Sequence, residues 1–254
     1  MSTSHLTIEI AEPEVRFLSF QGGEAIADCS IHLDVSNYST IKENLNKFID
    51  QNSFISDDYD EVSLSIASKK SSLVPNTIFD ESSANDIYKL CFGECESNKS
   101  INYNRIAELS IVNVFCHSDW IKRFFVMRFP RVIMQHEGSH SLRSILSSNS
   151  FYLKTTVILH ADFFQLTIVK RKQLEFYSFF DYQNHEDVLY HLLFALQQKE
   201  FVNEEGSVEF IQAIGCSNQT IENIERDFAK IKDLNTLKLI KPSNFIANSQ
   251  LLCV

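Results

Sequence analysis

The sequence predicts an α/β protein built from two tandem copies of one β-β-β-α-β unit. Two observations lead there. Runs of alternating apolar residues come in threes, and each trio is followed by a segment with helical apolar spacing. The same order then returns at an offset of 148 residues, the separation of Ile10 from Ile158 and of Leu18 from Leu166. Identity between the copies is low, so the repeat is one of pattern.

In the first copy Leu6, Ile8 and Ile10 share one face. Val15, Phe17 and Ser19 form a second strand, and Ala25, Ala27, Cys29, Ile31 and Leu33 a third. The turns are "AEPE" and "QGGE", where Gly22-Gly23 can reach positive φ without a Cβ clash. "NYSTIKENLNKFIDQN" follows as a helix capped by Asn37 or Ser39, with Ile41, Leu45, Phe48 and Ile49 as its apolar stripe. "EVSLSIASK", "AELSIVNVF" and "RVIMQ" read as further strands.

The second copy runs "LKTTVILHA", "FFQLTIVK" and "QLEFYSFFD", with "KRKQ" as a turn. Its helix is capped by Asn184, with Asp187 three residues on, and carries Val188, Leu189, Leu192, Leu193 and Leu196 on one face. The 148 offset brings Ile41 onto Leu189 and Leu45 onto Leu193, so one register is expected to serve strands and helix alike. "VEFIQAIG" is the next strand. Two such units, each with later helices, describe the ribonuclease-H-like halves of the actin-like ATPase architecture. Segments 117–128 and 139–148 read as helices between them. The division falls near Asn149, with an N-terminal lobe over 1–149 that holds inserted helices and a C-terminal lobe over 150–254.

Composition narrows the function. Hydrophobic residues make up 44% and charged ones 22%, which calls for a packed core rather than disorder. A net charge of −10 disfavours a general nucleic-acid binder, which must displace counterions with excess positive charge. No apolar run approaches the roughly 18–20 residues that span a bilayer. The opening "MSTSHLTIEIAEPE" has neither a basic n-region nor an apolar h-region, and the six scattered cysteines lack zinc-knuckle spacing. A cytoplasmic protein with reduced thiols is expected.

Three stretches carry a family resemblance: "SSLVPNTIFDESSANDIYKL", "FPRVIMQHEGSHSL" and "FFDYQNHEDVLYHLLFALQQ". In these the chain resembles a Bacteroidetes family of uncharacterised proteins, domain of unknown function 3822, of which one member has an actin-like ATPase fold. The likeness runs over nearly the whole chain. It implies a fold and brings no established activity.

A working actin-like ATPase grips phosphate with two hairpin turns of the pattern Asp-x-Gly, whose backbone N–H groups point at the ligand. The first hairpin here reads "IEIAEPEVRF", with no glycine, and Pro13 has no N–H. The second reads "ILHADFFQLT", where Asp162 could stand for the acid but Phe163 and Phe164 follow. The adenosine loop, which usually carries two adjacent glycines, is reduced to Gly215 followed by Cys216. Ser217 or Asn218 then caps a helix with the stripe Ile221, Ile224, Phe228 and Ile231. Asp162, Gly215, Cys216 and Ser217 are the candidates for a remnant nucleotide site. A plain strand-to-helix turn explains Gly215 equally simply, and is preferred.

"HEGSH" satisfies H-E-x-x-H, with His136 and His140 as zinc ligands, Glu137 as general base and His160 as a possible third ligand. Against this, "FPRVIMQ" looks like a strand, Gly138 weakens a helix, and the better helix start is Ser139 or Ser141. Cys116 and His117 are neighbours in sequence, with no third group to orient a dyad. "WIKRFFVMRFPR" interleaves aromatic and basic residues, as single-strand nucleic-acid binders do. Trp120, Phe124 and Met127 at helical spacing favour a core stripe instead.

The expectation is a non-catalytic interaction or scaffold module with a degenerate nucleotide site and a protein partner. The alternatives are a divergent ATP-binding protein or ATPase, with ATP and magnesium as cofactors, and a zinc hydrolase.

Overall fold

The computed structural model describes residues 3–147, 152–241 and 244–252. They form two compact units, Met1–Ser141 with Ile246–Val254, and Leu142–Phe245.

The first unit opens with an antiparallel meander of β1 (Ser4–Ala11), β2 (Glu14–Gln21) and β3 (Glu24–His32). Gly22 and Gly23, with φ of 58° and 85°, make the β2–β3 turn in a conformation that a Cβ would disfavour. Asn37 caps α1 (Tyr38–Gln51) by accepting from Thr40 N–H at 2.9 Å. β4 (Glu61–Ile66) then pairs parallel with β1. Next come β5 (Ser71–Pro75), α2 (Ala84–Phe92), β6 (Lys99–Ile106) and β7 (Ile111–Ser118), whose strands form a separate sheet in the order β5-β7-β6. α3 (Asp119–Arg128) returns to the main sheet, β8 (Ile133–His136) extends it in parallel, and α4 (Glu137–Ser147) follows. The main sheet reads β3-β2-β1-β4-β8.

The second unit repeats this without the separate sheet. β9 (Leu153–Leu159), β10 (Phe163–Lys170) and β11 (Gln173–Asp181) form its meander. α5 (His185–Gln198), β12 (Gly206–Gln212), α6 (Asn218–Phe228), β13 (Leu237–Ile240) and α7 (Phe245–Leu251) follow. The order β11-β10-β9-β12-β13 matches the first sheet strand for strand. This is the tandem ribonuclease-H-like architecture expected from the sequence.

Each unit has its own core. Ile8, Ile10, Val15 and Phe17 meet Ile41, Leu45 and Ile49 of α1 and Trp120, Phe124 and Phe125 of α3. Val157, Leu159, Phe164 and Leu166 meet Val188, Leu192 and Leu196 of α5 and Ile224 and Phe228 of α6. Met127, expected in the α3 stripe, is 81% exposed, and the buried face runs through Ile121 and Phe125 instead.

These cores correct the repeat register. Leu33 N–H donates to Pro13 O at 2.9 Å, and Tyr182 N–H to Asp162 O at 3.0 Å, so the meanders superpose at an offset of 149 (162 less 13, 182 less 33). Ile10 therefore corresponds to Leu159, not Ile158. The helix caps Asn37 and Asn184 lie 147 apart, so Ile41 corresponds to Val188 and Leu45 to Leu192. A single offset of 148 falls between the two. Because strand side chains alternate, a slip of one residue exchanges the faces; Ile158 and Leu159 are both buried, so the hydrogen-bonding of the turns decides between 148 and 149.

The sequence division near Asn149 lies outside the described residues. Ile246–Leu252 group with the first unit. Ala247 packs with Leu18 and Phe20, and Gln250 Oε1 accepts from Ser63 Oγ at 2.8 Å. No helix among the described residues is long and apolar enough to cross a membrane.

Candidate functional site

The turn between β1 and β2 consists of Glu12 and Pro13, joined by a cis peptide bond. The Glu12 carboxylate is committed to the protein itself. Ser118 Oγ donates to its Oε2 at 2.7 Å, and the indole N–H of Trp120 donates to Oε1. Ser118 is the N-cap residue of α3, but its side chain makes no capping bond; its hydroxyl is spent on Glu12. Glu12 is exposed, whereas both donors sit on buried residues. The turn thus presents a carboxylate where a phosphate grip needs backbone N–H groups.

The matching turn of the second unit spans His160 to Phe163. His160 N–H donates to Phe163 O at 2.9 Å, and the two rings stack 4.4 Å apart. Asp162 is exposed and occupies the place of Pro13. Tyr182 ties this turn to the Gly215 loop. Its N–H donates to Asp162 O, its hydroxyl donates to His160 O, and that same phenolic oxygen lies near the Cys216 thiol. Burial pushes the Cys216 thiol up to about 11, against the Tyr182 bond, which disfavours a thiolate nucleophile there.

Several groups of the Gly215 loop bond within the second unit. Ala213 N–H donates to Leu159 O at 2.9 Å, and Gly215 turns with φ 85°. Gln212 Nε2 donates to Cys216 O at 2.9 Å and to Asn218 Oδ1 at 2.8 Å. Ser217 Oγ caps α6 by accepting from Thr220 N–H at 3.1 Å. The fold therefore gathers Asp162, Gly215, Cys216 and Ser217 at the C-terminal ends of β9 and β12. In the first unit Ala67 N–H donates to Ile10 O at 2.8 Å, so Ala67–Lys70 takes the place of Ala213–Cys216.

The "HEGSH" segment does not form a zinc helix. His136 is the last residue of β8, and the helix begins at Glu137, two residues before the earliest start expected. Both ring nitrogens of His136 are engaged: Nδ1 accepts from Gly138 N–H at 2.9 Å and Nε2 donates to Ser68 O at 2.8 Å. No lone pair is left for a metal. His140 lies within α4 and His160 just after β9. Strand alternation separates Cys116 from His117: Cys116 contacts Tyr88 Oη at 2.9 Å, and His117 lies on the opposite face with Asn113 and Phe115.

One cluster escaped sequence reasoning. His185 Nε2 lies 2.7 Å from Asp227 Oδ2, and Nδ1 lies 3.0 Å from Glu186 Oε2. These three are near enough to hold a metal. Arg226 and Lys230 also reach Asp227, and Arg226, Lys230 and His185 together hold its carboxyl well below the usual range. Arg226 and Lys230 already bring positive charge to this cluster. The cluster joins residues 42 positions apart, and no local pattern marks it.

Fold and turns define a protein of the actin-like ATPase fold. A crystal structure from Bacteroides thetaiotaomicron VPI-5482, described as having an actin-like ATPase fold and unknown function, superposes with a TM-score of 0.80. It covers 99% of this chain and 96% of that one at 19% identity. A chain of a PilM–PilN type IV pilus biogenesis complex superposes at 0.57, over 96% of this chain and 89% of its own, at 7% identity. The chain belongs to the family described as "Protein of unknown function (DUF3822)", whose model matches residues 1–231. Among curated proteins, none matches significantly.

Proposed function

We propose that this protein is a non-catalytic member of the actin-like superfamily, working through contacts with a protein partner. The observation that carries this reading is the β1–β2 turn, where Glu12 is bound by Ser118 and Trp120. A fixed carboxylate there repels phosphate, and Pro13 offers no N–H. Supporting it, Gln212 and Ser217 of the Gly215 loop spend their side chains on the loop and on α6, and Phe163 stands beside Asp162 where glycine would be needed. The fold likeness to a chain of a PilM–PilN complex is an analogy in the same direction. On α5, Tyr190 and Phe194 are 63% and 47% exposed and stack 6.1 Å apart, an apolar feature suited to a protein contact.

A second reading, a divergent nucleotide-binding protein using magnesium, rests on exposed Asp162 beside the left-handed Gly215. Calorimetric titration of Mg-ATP into the metal-free full chain separates the two. The non-catalytic reading expects no saturable heat into the millimolar range. Saturable heat abolished by Gly215→Val would replace it with the second.

A further inference from the structure

The two units act as internal controls for each other's surfaces. Both meanders carry a bulge at the same place. Ser19 and Phe20 pair with Ala27 and Ala25, and Ile168 and Val169 with Phe176 and Leu174, leaving Ile26 and Glu175 as the extra residues. Position by position, β11 then sets Phe176, Tyr177 and Phe179 where β3 has Ala27, Asp28 and Ser30. Counted from the caps Asn37 and Asn184, Tyr190 and Phe194 of α5 stand where α1 has Glu43 and Lys47. The second unit carries aromatic rings where the first is small, polar or charged.

These rings form one run from strand to helix. Phe176 and Phe180 stack 6.2 Å apart, and Phe180 and His191 4.3 Å apart. Tyr190 meets His191 edge-on at 5.3 Å and stacks on Phe194. The run begins at a sheet edge. β11 ends its sheet, and among the described residues β10 alone pairs with it. Natural edges are blunted by lysine, proline or a bulge. The bulge at Glu175 interrupts the start of β11, but Phe176 to Phe180 contain neither lysine nor proline. The order of those five residues, Phe-Tyr-Ser-Phe-Phe, is aromatic on both sides of Ser178 and so reads alike in either direction. An edge of that kind is complementary to itself in antiparallel pairing.

We propose that a second copy of this chain docks on this edge, β11 against β11, antiparallel about a two-fold axis at Ser178. Phe176 of each copy then lies opposite Phe180 of the other, and Tyr177 opposite Phe179, aromatic pairs that stabilise an antiparallel ladder. Such an axis stands perpendicular to the joined sheet, so both α5 helices fall on the same face. Because His191 stacks on Phe180, each α5 lies close to the shared edge, and the two helices cover each other's Tyr190 and Phe194. At the ends, Asp181 of one copy approaches Glu175 of the other, where Lys199, 3.9 Å from that carboxylate, supplies the opposite charge. A two-fold contact of this kind closes at two copies. The proposal rests on the reading that the protein works through protein contacts, and makes its own copy the first partner.

The test is sedimentation equilibrium of the full chain from low to high micromolar concentration. The mass should rise from 29.3 kDa toward twice that value and stop there. Tyr190→Glu with Phe194→Lys installs what α1 carries at these exposed positions; it should leave thermal unfolding unchanged and weaken the dimer at least about tenfold. Ser178→Lys sets two ammonium groups opposite each other at the axis and should abolish the dimer. A monomer at every concentration, an assembly that grows beyond two, or a dimer unaffected by either variant overturns the proposal. Should Ser178→Lys fail to fold, the exposed α5 pair still decides. Saturable Mg-ATP binding would overturn the non-catalytic reading while the mass still decides this one, and a monomer would overturn this one alone.

Discussion

Pro13 and Asp162 hold the same position in the two units: each carbonyl accepts the N–H of the residue following its meander, Leu33 at 2.9 Å and Tyr182 at 3.0 Å. From that equivalence, Glu12 of the first turn corresponds to Ala161 of the second. The duplicated turns have therefore diverged in opposite senses. One presents a carboxylate held by its own protein, and the other an exposed aspartate followed by an aromatic residue.

Glu12→Ala removes the acceptor of two buried residues' donors. It should destabilise the first unit by about 1–2 kcal/mol, and Glu12→Gln, which keeps one acceptor oxygen, by less. Trp120 is the only tryptophan in the chain, so its fluorescence during urea unfolding reports this directly. A midpoint for Glu12→Ala equal to wild type would show that the carboxylate is not structural.

His5 makes the first unit sensitive to acid. Burial pushes its imidazole down to about 4, and Nε2 lies 2.8 Å from Ser63 Oγ, which in turn donates to Gln250 of α7. The folded state holds the ring neutral while the unfolded chain protonates it near the ordinary value of 6.5. Its stability contribution is thus complete above about pH 6.5 and is lost as pH falls toward 4, a change of roughly 3 kcal/mol at most. In His5→Asn, stability should vary less with pH across that window. Identical pH slopes in variant and wild type would refute this.

Gly206→Ala should be severe. A Cβ there would lie 2.1 Å from Leu153 O and 2.8 Å from Leu153 Cβ, so β12 would have to move away from β9. The expected loss is about 3 kcal/mol or more, read from thermal unfolding of the second unit. A melting temperature within a degree or so of wild type would mean that the strands separate at little cost.

The two helix caps should differ. Asn37→Ala loses one cap bond, to Thr40 N–H, and should cost about 1 kcal/mol. α5 is capped from both sides: Asn184 Oδ1 accepts from Asp187 N–H at 3.0 Å, and Asp187 accepts from the backbone N–H groups of Asn184 at 3.2 Å and Gln183 at 2.8 Å. The double variant Asn184→Ala/Asp187→Ala removes both halves and should cost more than Asn37→Ala, by chemical denaturation. A cost no larger than that of Asn37→Ala would contradict the box.

Much of the fold was legible in residue order. Alternation marked the meanders, helical spacing marked α1 and α5, and Asn37, Asn184 and Ser217 were readable as caps. These signals are local, because side-chain direction repeats every two residues in a strand and about every 3.6 in a helix. The candidates Asp162 and Gly215 were equally visible, since turn residues announce themselves by type. What chain order left open was set by packing. Whether Ile158 or Leu159 faces the core, whether α7 returns to the first sheet, and whether His117 ends a strand or begins a helix all depend on contacts between distant residues. The bonds from Ser118 and Trp120 to Glu12 span more than a hundred positions, and the unpartnered Nε2 of His117 is defined by which groups fail to reach it. Local periodicity thus marked the meanders and their helices, and only tertiary packing decided their faces, their register and which polar atoms find partners.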